Sequence, residues 1–312
     1  MEPLKPPRLK TGDLIGIISP ASRIMDPARI EKGVAYLERM GYRTVLGDHV
    51  LKTYGYLAGT DEERVADLHR MFADPKVKAI MCIRGGYGTP RLLSLVNYRL
   101  IARNPKVFVG YSDITSLQLA LWKKCGLVTF QGPMVGVDMP GQLDGYTEEL
   151  FWRLVTSPKK AGQVVPSDNP SALIRKGKAT GRLLGGNLAH VAGAVGTVHM
   201  PSLKDALFFI EDIGEEPYRI DRMMTQLRHA RVFEQVKGIL GGQFTDCEIK
   251  DATKPTLTVD EVFREFGGGC PLPFLAHLPF GHEDHKMTVP MGIRAKLDAG
   301  AGTLEFLEGA VK

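Results

Sequence analysis

Val107–Thr115 reads "VFVGYSDIT", and the residues that follow, "SLQLALWKKCG" from Ser116 to Gly126, have the pattern of a helix. An apolar run meets a glycine, a tyrosine and a lone serine, Ser112, where a buried strand gives way to that helix. Outward from this point the alternation recurs. "DLIGIISP" (13–20) is a short apolar run closed by Pro20, and "VKAIMCI" (77–83) is another, so both read as buried strands. Between them, "DPARIEKGVAYLERMGY" offers Asp26 as N-cap, Pro27 at the first helical position, Ile30, Val34 and Leu37 on one face, and Gly41 just past the end. "TDEERVADLHRMF" opens on a capping box, Thr60 with Glu63 three residues on. Strands alternating with helices predict an α/β unit with a parallel sheet over residues 1–157.

The stretch 158–180 is polar and rich in Pro, Gly and Lys, and reads as a linker or crossover. From 181 to 312 a second block begins. "ALFFI" (206–210), "VKGILGG" (236–242), "IRAKLDAG" and "GTLEFL" are strand-like, and segments near 217–230 and 258–266 are helical. Leu183–Leu203 is free of charged residues but holds Asn187, His190 and His199, so it reads as a buried small-residue helix with its flanks rather than a membrane span.

The 312 residues carry a net charge of +5 without a basic block, which argues against a nucleic-acid partner. Cys82, Cys125, Cys247 and Cys270 lie far apart with no C-x-x-C pair, as expected of reduced thiols in a cytoplasmic protein. The first residues show no apolar export segment, which fits the same location.

Ligands of open parallel sheets bind at the carboxyl ends of the strands. Two loops are predicted there, "IRGGYGTPRLL" after 77–83 and "GYSDIT" after 106–110. Glycines let backbone amides approach a ligand closely, whether phosphate or the oxyanion of an acyl-transfer intermediate, although such loops also serve as plain turns. A serine on a strand-to-helix turn follows the nucleophile-elbow logic, yet Ile114 stands where G-x-S-x-G needs its second glycine. The plainer alternative is that Ser112 caps the helix. Two histidines fall in "LPFGHEDHKMTVPMG"; because residue 286 is lysine, H-E-x-x-H is not met, and weak metal binding stays an alternative to a catalytic base. Glu211 and Asp212 end the run "ALFFI", where a carboxylate can be held rigid or belong to a solvated acidic loop. Together the pieces give an order Ser…Glu…His, which can form a triad on any fold.

"IRGGYGTPRLL", "VGYSDIT", "FIEDIGEEPYRIDRMMTQL" and "PFGHEDHKMTVPMG", with "GIISPAS" near the start, resemble the L,D-carboxypeptidase family of serine peptidases, S66, which also includes the microcin C immunity peptidases. The resemblance implies a doubly wound N-terminal α/β domain and a smaller C-terminal α/β domain, with the site at their junction. It implies a triad of Ser112, Glu211 and His282, and an oxyanion hole from the amides of Gly86 and Asp113 beside Gly85. It implies no metal and no organic cofactor, a cytoplasmic homodimer, and a small peptide substrate. That substrate is a muropeptide losing a terminal D-amino acid, or alternatively an aminoacyl-nucleotide toxin. Arg84 is the residue expected to meet the substrate carboxylate.

Overall fold

The computed structural model describes residues 2–251 and 253–312. Short runs of three to six residues form the first five strands, β1 (Leu14–Ile18), β2 (Arg43–Leu46), β3 (Val77–Cys82), β4 (Val107–Val109) and β5 (Thr129–Gln131). All five are parallel, in the order 5-4-3-1-2. Side chains alternate across this sheet and both faces are buried. Ile15, Ile17, Ala79 and Met81 enter one core, whereas Ile18, Ile80, Cys82 and Phe108 enter another. Helices α1 (Ala28–Arg39), α2 (Asp61–Ala73), α3 (Tyr98–Arg103), α4 (Thr115–Cys125) and α5 (Gly145–Thr156) cover the two faces, as doubly wound sheets require. The predicted capping box of α2 is present, with Thr60 and Glu63 exchanging hydrogen bonds. Gly41 takes φ +87° just past α1.

The second sheet is the wider one. It comprises β6 (Gly162–Gln163), β7 (Ala172–Arg175), β8 (Lys178–Asn187), β9 (Ala206–Ile213), β10 (Gly238–Thr245) and β11 (Phe274–Ala276). After β12 (Val289–Met291) come its last two members, β13 (Arg294–Asp298) and β14 (Thr303–Phe306). The order is 6-14-13-8-9-10-11-7, with β8 to β11 parallel and the outer strands antiparallel. Helices α6 (Leu188–Ala194), α7 (Pro217–His229) and α8 (Val259–Gly269) accompany it.

One expectation needs correction. The stretch 158–180 is no free linker, because β6 and β7 hydrogen-bond onto opposite edges of the second sheet. The charge-free stretch 183–203 holds a short helix with its flanks: β8 runs on to Asn187 and the seven residues of α6 follow. A Cβ on Gly185 would lie 1.8 Å from the Phe209 carbonyl oxygen of β9, so glycine there allows close strand approach.

The two units are interlocked. β12 leaves the second and pairs antiparallel with β5 as the outer strand of the first sheet. Lys312 exchanges backbone hydrogen bonds with Pro6 and Arg8. Among the described residues, no helix is long and apolar enough to cross a membrane.

Candidate active site

The turn after β4 is tight for a physical reason. Gln118 of α4 reaches back and donates to the carbonyls of Gly110 and Phe130, at 2.9 and 3.0 Å, drawing the helix start onto the strand ends. Ser112 then has to take φ +63°, a left-handed conformation that is unfavourable by about 1–2 kcal/mol for a residue with a Cβ. Its hydroxyl caps neither the 3₁₀ turn Ser112–Ile114 nor α4, so the capping alternative fails.

The glycine loop after β3 is fitted to this turn. A Cβ on Gly85 would lie 2.8 Å from Ser112 Cβ and 3.1 Å from its Oγ, so no larger residue fits there. Gly86 and Gly88 adopt φ +107° and +140°. Two side chains hold the loop. Ser22, after β1, accepts from the Tyr87 amide at 3.0 Å. The buried Asp113 carboxylate accepts from the amides of Gly88 and Thr89, at 3.1 and 2.9 Å. The residue after the serine, singled out from sequence for its amide, therefore also fixes the loop through its side chain. Among the described residues the amides of Gly85 and Gly86 meet no protein acceptor. Arg84 donates to the Arg23 carbonyl at 3.3 Å and lines a cavity of about 290 Å³ with Asp26 and Arg29.

The second sheet supplies the acid and the imidazole. Glu211 lies within β9, only 1% exposed. Its Oε2 lies 2.8 Å from His282 Nδ1, while its Oε1 has no hydrogen-bond partner among the described residues. Gly281, at φ +123°, lets the His282 loop pass over the carboxylate, since a Cβ there would lie 3.2 Å from Oε2. The next residue, Asp212, points the other way and accepts from Asn187 Nδ2 and from the amides of Ala189 and Ile213 at 2.8–2.9 Å. Burial, and then the Glu211 charge, push its carboxyl up to about 7.

His282 sits edge-on to Tyr111, the neighbour of Ser112, with ring centroids 5.0 Å apart. The structure thus pairs Glu211 with His282 directly and sets both beside the serine turn, though no hydrogen bond joins Ser112 to His282. His285 faces away, against Asp144 at 2.9 Å and stacked on Tyr146. The two histidines of the H-x-x-H run therefore serve different carboxylates in different units. Among the described residues, no group of three or more His, Cys, Asp or Glu is arranged to hold a metal ion.

Sequence reasoning missed His190. Its Nδ1 lies 2.9 Å from Ser116 Oγ, and its Nε2 lies 3.6 Å from Asp113 Oδ1. Burial lowers its pKa against the pull of Asp113 and Glu211. The signal was "GGNLAH" (185–190), a second glycine-bearing turn at the end of a parallel strand.

With Nδ1 held by a carboxylate, the imidazole keeps Nε2 for proton transfer, and unpaired amides next to a serine suit an oxyanion. Such a site, at the carboxyl edge of an open α/β sheet, is the kind peptidases use. The chain belongs to the LD-carboxypeptidase family, S66: the family's N-terminal domain profile matches residues 15–132 and its C-terminal domain profile matches 180–297. It is 36% identical to the "Probable murein peptide carboxypeptidase" of Bacillus subtilis, over 99% of this chain and 97% of that one. The crystal structure of muramoyltetrapeptide carboxypeptidase from Oxalobacter formigenes superposes with a TM-score of 0.82 at 32% identity, covering 94% of this chain and 97% of that one. The microcin C7 self-immunity protein MccF in complex with aspartyl sulfamoyl adenosine gives a TM-score of 0.91 at 28% identity, with 99% and 100% covered.

Proposed function

We propose that the protein is a serine L,D-carboxypeptidase that releases a terminal D-amino acid from cytoplasmic muropeptides during peptidoglycan recycling. Ser112 Oγ attacks the carbonyl of the L,D bond. His282 takes the hydroxyl proton and returns it to the leaving D-amino acid, and water then hydrolyses the acyl-enzyme. Glu211 holds the imidazole in the required tautomer and stabilises the imidazolium. The amides of Gly86 and Asp113, beside Gly85, take the oxyanion, a role worth about 3–4 kcal/mol per donor in comparable sites. Arg84 is the candidate for the substrate carboxylate. We take the working form to be a homodimer without metal or organic cofactor. The observation that carries the reading is the buried Glu211–His282 pair set against a serine in a left-handed turn.

The likeness to MccF keeps an aminoacyl-nucleotide substrate as the second reading. The tryptophans favour the muropeptide: Trp122 and Trp152 are both core residues, 5% and 9% exposed, and form no slot for a purine. Incubation with an L,D-linked muramoyl tetrapeptide is expected to release free D-Ala, with none from the D-Ala-D-Ala bond of the pentapeptide. Preferential D,D cleavage, or turnover of an aminoacyl-adenylate analogue alone, overturns the assignment.

A further inference from the structure

The loop that carries His282 belongs to both units, and its two halves are tied to different ones. Up to residue 283 its hydrogen bonds run to the second sheet: the Gln243 amide donates to the Phe280 carbonyl at 2.8 Å, His282 meets Glu211, and Thr245 donates to Glu283 at 2.7 Å. From residue 284 on they run to the first unit. Thr147 of α5 donates to the Asp284 carbonyl at 3.1 Å and accepts from the Lys286 amide at 2.8 Å, and His285 meets Asp144. The deepest tie is Lys286 itself. Its side chain is only 5% exposed and that of Asp138 6%, and its ammonium lies 2.5 Å from Asp138 Oδ1. It also lies 3.2 Å from the Tyr111 hydroxyl and 4.6 Å from that ring's centre. The Tyr111 hydroxyl donates to the same Asp138 oxygen at 3.2 Å, and the second Asp138 oxygen accepts from the Met134 amide at 2.7 Å.

Tyr111 is the pivot of this arrangement. Its backbone leads directly into Ser112, its ring packs against His282, and its hydroxyl is gripped by a buried ion pair whose two members come from opposite units. We propose that Lys286 and Asp138 are positioning residues: through Tyr111 they set the distance and angle between Ser112 and His282. The inference rests on the triad reading above. It assigns the pair no contact with substrate, so its loss affects the chemical step and leaves binding alone. A misplacement of about 1 Å in such a site is enough to lower turnover by about 100-fold.

The test separates alignment from stability. Removing one member of a buried ion pair strands the other and destabilises the fold, whereas removing both need not. The variants are therefore Lys286→Met, the double variant Lys286→Met with Asp138→Leu, and Tyr111→Phe, which keeps volume and loses only the hydroxyl. Steady-state kinetics on the tetrapeptide are read beside thermal unfolding. The double variant is expected to melt within a few degrees of the parent but to lose kcat by about 100-fold with KM unchanged, and Tyr111→Phe to lose about tenfold in kcat alone. A double variant with parental kcat shows a pair that serves stability only and overturns the proposal. A rise in KM at constant kcat makes Lys286 a substrate contact and also overturns it. If neither ion-pair variant folds, Tyr111→Phe decides, and an unchanged kcat there is fatal. A Ser112→Ala variant that keeps turnover brings down the triad reading itself. An inactive Ser112→Ala alongside fully active Lys286 and Tyr111 variants removes only this proposal.

Discussion

Each sheet delivers a candidate catalytic group at the carboxyl end of a parallel strand, but by different physical means. On the first sheet the position of Ser112 is held by backbone: a left-handed residue, a glycine with no space for a Cβ, and a loop fixed by hydrogen bonds to amides. On the second sheet it is held by charge. Glu211 sits unstrained inside β9, nearly without solvent, satisfied on one oxygen by His282 and, among the described residues, on the other by none. Strain of about 1–2 kcal/mol is built into one side, and the desolvation of a carboxylate into the other. A nucleophile has to stand clear of partners to react, so covalent geometry places it. An orienting acid works through its partner, so burial can place it.

Three experiments probe that contrast. The largest effect is expected where both sides are needed. Ser112→Ala and His282→Ala should each lower kcat by about a thousandfold or more, while His285→Ala stays within a few-fold because its imidazole serves Asp144 at the surface. Comparable losses for His282 and His285 would break the division into two placements. A smaller effect isolates the strain. Glycine adopts positive φ freely, so Ser112→Gly should be more stable than Ser112→Ala by about 1 kcal/mol in denaturant unfolding, though both are inactive. Equal stabilities would mean the turn is relaxed.

The smallest effect is electrostatic. Burial holds the His190 imidazole below its ordinary 6.5. The folded chain therefore binds fewer protons than the unfolded one in the window just under that value, and stability falls as pH drops through it. Replacing His190 with Gln should reduce the fall in Tm between about pH 7 and pH 5 relative to the parent. Parallel Tm curves would show that His190 is not desolvated in the folded state.

The serine turn was readable because it is local: strand, glycine, serine and helix follow one another within twenty residues, and the propensities agree. Capping boxes at Thr60 and the C′ glycine at 41 were readable for the same reason. Where the reading slipped, tertiary contact outweighed local pattern. The strand β8 was not legible, because its Gly185 and Gly186 sit against Phe209 and Gln131, contacts that no window of sequence contains. β7 looked like linker because an edge strand is half polar by necessity; its residues alternate between half-buried and exposed. Lys286 showed only as a departure from a metal motif. Its meaning lies in Asp138, 148 residues away.

The pairing of β12 with β5 also dictates an order of events during synthesis. The chain emerges from its amino end, and the residues of β1 to β5, with Ser112 among them, all precede residue 132. The edge of β5 nonetheless stays open until residues 289–291 have been made, and the loop that brings His282 lies just before them. Until then the serine turn stands without the imidazole proposed as its base, on a sheet with a bare strand edge, the kind of surface that invites pairing with another chain. The same strand that removes that hazard pulls the His282 loop onto the first unit. Sealing the sheet and bringing His282 to the serine turn are thus one event.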